Sequence, residues 1–118
     1  MKGDEERVIE AFCRFLHEEG WTTAREVGFV DVVAEKDGER IFAEAKGRTA
    51  AIGLDVDTMF GQLLRRMPQE RPGNDICFAV VVPTEAVAAV GRVPKWVRSE
   101  LQIDLYSVSQ DGSVARHD

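Results

Sequence analysis

The stretch from residue 29 to residue 46, FVDVVAEKDGERIFAEAK, constrains the fold more than any other. Asp37-Gly38 is a two-residue hairpin signal, because a type I′ turn needs positive φ at both central positions, which Asp tolerates and Gly adopts freely. Val, Ile and Phe dominate the flanks, as strands prefer. A loop of Asp37 and Gly38 alone sets Lys36 against Glu39. That register carries Asp31 to a position directly across from Glu44, and Phe29 across from Lys46. Strand side chains alternate, so Glu44 and Lys46 share a face and Asp31 joins them. Facing like charges destabilise a hairpin. The apolar neighbours Val30, Val32, Val33, Ile41, Phe42 and Ala43 raise that cost by taking the carboxylates out of water. A divalent cation held by both is the simplest compensation, with Lys46 adding a further positive charge. The plainer reading puts Asp31 in a solvated loop and makes Glu44–Lys46 an ordinary same-face pair. Both readings stand on the hairpin alone.

The elements around the hairpin follow from periodicity. Residues 4–19 form an amphipathic helix, with Val8, Ile9, Phe12, Phe15 and Leu16 at helical spacing, acids at its start and Gly20 as its stop. Glu5 lies on the apolar stripe, and Glu6 and Glu10 lie at its edge; solvated helix charge is the reading favoured for all three. Residues 21–27 form a first strand that turns at Gly28. The loop after Lys46 is small and irregular, and places Arg48 and Thr49 where they could bond phosphate. Residues 56–67 form a helix with Asp55 as N-cap and Pro68 as terminator, its polar surface carrying Gln62, Arg65 and Arg66. ICFAVVVP at 76–83 is a continuous apolar run, as for a strand buried on both faces. Strand, helix, strand in that order implies a parallel crossover. Short helices follow at 84–90, capped by Thr84, and at 93–101, where Trp96, Val97 and Leu101 are packing residues. A strand at 103–108 and a tail that adds a hairpin strand or frays complete the chain.

With 118 residues this is a single domain, 1–118, large enough for a real core. No apolar run approaches the roughly 20 residues of a membrane span, and the charged opening MKGDEER lacks a secretory core, so the expected location is cytoplasmic. Cys13 and Cys77 are expected as reduced core thiols, and two histidines supply no zinc-type cluster. The net charge of −6 argues against a protein that coats nucleic acid. The negative charge is concentrated in residues 1–44, while residues 45–118 balance. Lys46, Arg48, Arg65, Arg66 and Arg71 therefore form either a modest phosphate-facing patch or a solvated face. Phe29 and Trp96 are read as core, which leaves no aromatic platform.

The layout is α/β, an αβββαβ core with a mixed central sheet flanked by helices. In this order the residues resemble the PD-(D/E)XK phosphodiesterase superfamily, the restriction-endonuclease-like fold. The family motif is an acid opening the second strand and Glu-x-Lys on the third, matched by Asp31 and by Glu44-Ala45-Lys46. Gln62 matches a glutamine that many members carry on the following helix. The layout is similar to archaeal Holliday-junction resolvases, Mrr-like nucleases and small proteins of the XisH type linked to DNA element excision. Two departures stand out: Val30 replaces the family's proline, and the helix-one acid found in relatives falls near Ile9. Glu5, Glu6 or Glu10 takes that role, or the third carboxylate is missing.

The resemblance implies metal-dependent hydrolysis of DNA phosphodiester bonds. Asp31, Glu44 and the Ala45 carbonyl would hold Mg²⁺, with Mn²⁺ as substitute. Lys46 would orient the attacking water or stabilise developing charge, and Gln62 would position Lys46, water or phosphate. Cutting both strands of a duplex implies a homodimer. A second class stays open: a catalytically weak or inactive DNA-binding or accessory module of a recombination, repair or defence complex, with a protein partner.

Overall fold

The Asp37-Gly38 turn forms with φ of +51° and +83°. A computed structural model describes residues 2–117. The turn joins β2 (Val30–Lys36) to β3 (Glu39–Ala45), paired antiparallel from Lys36↔Glu39 to Val32↔Ala43. That is the register expected from the two-residue loop. β1 (Thr22–Val27) joins β2 through a second two-residue turn, Gly28-Phe29, with φ of +55° and +71°. Phe29 therefore belongs to the turn, and the expected pairing of Phe29 with Lys46 does not form. The Lys46 N–H instead donates to the Val81 carbonyl at 3.0 Å.

α2 (Ile52–Arg65) crosses from β3 to the parallel β4 (Ile76–Pro83), and β5 (Ile103–Val108) adds in parallel beyond it. The tail forms β6 (Val114–His117), antiparallel to β5, so the sheet runs β1 to β6 in chain order. It is a six-stranded mixed sheet with helices on its two faces. α1 (Lys2–Glu18) buries Val8, Phe12 and Leu16 against Val32, Ala34, Ile41, Ala43, Ala45, Val81 and Val108. α2 buries Val56, Met59, Phe60 and Leu63 on the other face, against Phe78, Val80, Val82 and Leu105. A 3-10 turn (Thr84–Ala86) and the short α3 (Val87–Val90) extend that second layer, and α4 (Lys95–Glu100) leads into β5.

Several local expectations are corrected. α2 starts at Ile52, one turn before Asp55. Asp55 lies in the first turn, where it accepts the Thr49 hydroxyl, and Ala51 occupies the cap position without a side-chain bond. Thr84 is likewise not a cap, because Pro83 precedes the 3-10 turn. Phe29 is 85% exposed and Trp96 72% exposed, so neither is core, and Leu101 stands at the surface. Cys13 is buried and both cysteines are free. Among the described residues no helix is long and apolar enough to cross a membrane.

Gly47 sets how α1 meets the end of β3. A Cβ there would lie 2.4 Å from the Glu5 backbone nitrogen and 2.7 Å from the Asp4 carbonyl carbon. Backbone atoms cannot swing aside as a side-chain tip can. Gly47→Ala is expected to lift the first turn of α1 and cost about 1–3 kcal/mol, as overpacking typically does. Thermal denaturation should show a fall of several degrees. An unchanged melting temperature would mean that this turn is not seated on Gly47.

Candidate metal and phosphate site

Asp31 sits where the pairing of β2 breaks on both sides. Toward β1, Arg25 pairs with Val32 and Val27 with Val30. Between them Glu26 and Asp31 are unpaired, and Glu26 has φ +55°. Toward β3 the ladder ends at Val32↔Ala43. The next β3 amide to face β2, that of Ala45, donates to Asp31 Oδ2 at 2.9 Å. A side-chain carboxylate thus replaces a ladder bond and fixes Asp31 beside β3. The N–H and C=O of one strand residue leave on the same side, so the Ala45 carbonyl also faces the Asp31 side.

Glu44 is 3% exposed. It neighbours Val80 in the parallel ladder and shares the α2 face with Phe42. Its Oε2 has no hydrogen-bond partner, and neither does Arg66 Nε. The two lie 3.8 Å apart, close enough for an ion pair but too far for a hydrogen bond. Burial, and then the Asp31 carboxylate, push the Glu44 pKa up to about 7, against the pull of Arg66 and Lys46. Removal from water and a like charge both disfavour the ionised form.

α1 contributes one further acid. Glu5 is half-buried; burial and Asp31 raise its pKa, while Lys46 lowers it. Glu5 reaches this site because Gly47 lets the α1 backbone come down onto the end of β3. Glu6 instead pairs with Arg25 on β1, and Glu10 is exposed. Of the three helix acids left open by the sequence, Glu5 is the one placed here. Among the described residues no group of three or more His, Cys, Asp and Glu is gathered closely enough to hold a metal. Glu5 therefore stands beside the Asp31–Glu44 pair rather than completing a cage with it.

No protein-family model matches the sequence, and no curated protein gives a significant match. Among solved structures, the chain is similar to an XisH family protein from Nostoc punctiforme PCC 73102. The identity is 21% and the TM-score 0.61, over 95% of this chain and 99% of that one. It is also similar to an FdxN element excision controlling factor protein from Anabaena variabilis. Here the identity is 22% and the TM-score 0.63, over 93% of this chain and 96% of that one. The fold is XisH-like.

On this XisH-like sheet the remaining candidates separate. Gln62 is half-buried, and its backbone carbonyl accepts from Arg66 at 2.9 Å. It lines an open groove of about 490 Å³ with Gly28, Phe29, Val30, Phe42, Arg65 and Arg66. Lys46 lines a different hollow, with Gly47, Arg48, Ile52 and Pro83. Arg48 and Thr49 are engaged within the protein. The Arg48 N–H donates to Asp4, its guanidinium lies 3.2 Å from Glu85, and the Thr49 hydroxyl donates to Asp55. These contacts pin the loop after β3 on both sides. Arg66 is the functional candidate whose position the sequence did not reveal. Its charge was visible, but its approach to Glu44 depends on how α2 lies across β3.

Proposed function

We propose that this chain is a metal-dependent nuclease that hydrolyses DNA phosphodiester bonds at Asp31, Glu44 and Lys46. One observation carries the reading: Glu44 is buried with an oxygen that no protein group satisfies, beside a second carboxylate fixed by a backbone amide. A buried carboxylate in that state is costly unless something positive reaches it. The donor set is all oxygen, which suits Mg²⁺, a cation that keeps several waters and takes only one or two carboxylates. Asp31, Glu44 and the Ala45 carbonyl would hold it, and Mn²⁺ would fit the same donors. When bound, the metal supplies neutralisation of phosphate charge and a bound water of lowered pKa.

The chain's own groups do the rest. Lys46 follows Glu44 on the same face and brings a positive charge to the oxygen of the phosphate where negative charge develops. Glu5, whose pKa is raised by burial and by Asp31, adds a third carboxyl group near the same place. Arg66 and Gln62 stand on the α2 side, where they can hold the flanking phosphate. The two structural neighbours bear names tied to the XisH family and to excision of the FdxN element, which supports DNA as the partner.

A specific observation favours a second reading. Arg66 already brings a cation within 3.8 Å of Glu44. If Arg66 replaces the metal, the protein is a DNA-binding or accessory module on the same fold. Thermal unfolding with Mg²⁺ or Mn²⁺ separates the two. Metal at ten times its dissociation constant should stabilise the native state by about 1.4 kcal/mol, a rise of several degrees. Asp31→Ala should remove the rise. No shift in the wild type, or an equal shift in Asp31→Ala, would favour the module.

A further inference from the structure

Phe29 is an anomaly of both conformation and exposure. It occupies the second central position of a type I′ turn at φ +71°, where glycine or asparagine is the usual choice and a bulky residue is disfavoured. It is also 85% exposed, and its neighbour across Gly28, Val27, is 47% exposed. Nothing in the fold gains from a phenyl ring there. Local rules broken without a structural return tend to mark function.

The ring stands at one lip of the groove whose other wall is the end of α2. Arg65 there is exposed, Arg66 and Gln62 are half-buried, and Arg66 also approaches Glu44. The groove thus sets an aromatic face opposite two guanidinium groups, and one of these, Arg66, lies 3.8 Å from the buried Glu44. We propose that it binds a DNA strand with unpaired bases, Phe29 stacking on a base and Arg65 and Arg66 holding the adjoining phosphates. This proposal deepens the nuclease reading and rests on it for the direction in which the strand runs.

The chemistry selects this occupant. A phenyl ring on a turn tip can stack only on a base whose face is free, and bases within a duplex are covered by their neighbours. Base–aromatic stacking tolerates any sequence, since every base has a π-face. Arginine presents a planar fork that matches phosphate oxygens and stays charged at any working pH. A single-stranded tail, a flap or a branch point would supply such a strand at a scissile phosphate.

The test is fluorescence anisotropy with a labelled mixed-sequence single strand and a blunt duplex of equal length, in EDTA so that neither metal nor cleavage enters. The wild type should bind the single strand more tightly than the duplex. Phe29→Ala should weaken single-strand binding roughly tenfold or more and leave duplex binding unchanged. Phe29→Trp should keep the affinity. Arg65→Ala should weaken it and reduce its salt dependence. Phe29 and Arg65 are exposed, so these variants should keep the wild-type melting temperature. Equal affinity in wild type and Phe29→Ala, or preference for the duplex, would overturn the proposal. The nuclease reading fails separately. Phe29-dependent binding without cleavage leaves the groove standing, and cleavage indifferent to Phe29→Ala and to unpaired bases leaves the nuclease standing.

Discussion

Lys46→Ala is expected to lower DNA cleavage on the order of 10²-fold or more, the loss seen when a single electrostatic stabiliser is removed from an active site. The fold should survive. Lys46 lies just past the end of β3, its backbone N–H bonds Val81 whatever the side chain, and its side chain is only half-buried. Metal-induced stabilisation should also survive, because the oxygen donors are intact. Asp31→Ala should lose both. It removes a proposed metal donor and leaves the Ala45 amide without its partner, at the cost of an unsatisfied buried group, about 1–3 kcal/mol. Comparing turnover with metal-dependent melting for the two variants separates a catalytic cation from a ligand. Equal loss of both properties in Lys46→Ala would assign it a structural role instead.

The second large effect is on stability against pH. Native Glu44 holds its proton up to about pH 7, whereas an unperturbed glutamate loses it near 4.5. Between these values the native state binds more protons than the unfolded one, so stability falls as pH rises. At about 1.4 kcal/mol per pKa unit, the ceiling is roughly 3 kcal/mol across the window. Glu44→Gln should remove most of this slope. The variant should match the wild type near pH 5 and exceed it by about 1–3 kcal/mol at pH 8, read by urea denaturation at both pH values. Glu5, shifted in the same direction, leaves a smaller slope of the same sign. Saturating Mg²⁺ should flatten the wild-type slope, since metal competes with the proton for the carboxylates, and should leave Glu44→Gln little changed. Parallel pH profiles for wild type and variant would contradict the assignment.

The hairpin register was legible because two constraints agree. A two-residue I′ turn fixes which residues pair, and period two then fixes every face. The register of β2 against β3 and the parallel β4 follow from local signals, whereas the tail, left open between a hairpin strand and fraying, forms β6. The site was less legible where it depends on distant approach. Glu5, Glu6 and Glu10 look alike on a helical stripe, and only the contact of α1 with Gly47 selects Glu5. Arg66 carries no sequence mark that it will cross Glu44. Phe29 was misplaced because hydrophobicity argued for the core, whereas Gly28-Phe29 forms a tight turn that lifts the ring into solvent. Asp55 resembled an N-cap, but Ile52 to Leu54 extend the helix ahead of it, and its carboxylate holds Thr49 instead.

The most direct measurement is cleavage by the purified protein of linear, supercoiled, single-stranded and four-way-junction DNA with Mg²⁺, Mn²⁺ or EDTA, beside Lys46→Ala. The nuclease reading predicts metal-dependent cutting that is abolished by EDTA and by Lys46→Ala. Cutting that survives Lys46→Ala, or no cutting of any substrate with either metal, would contradict it.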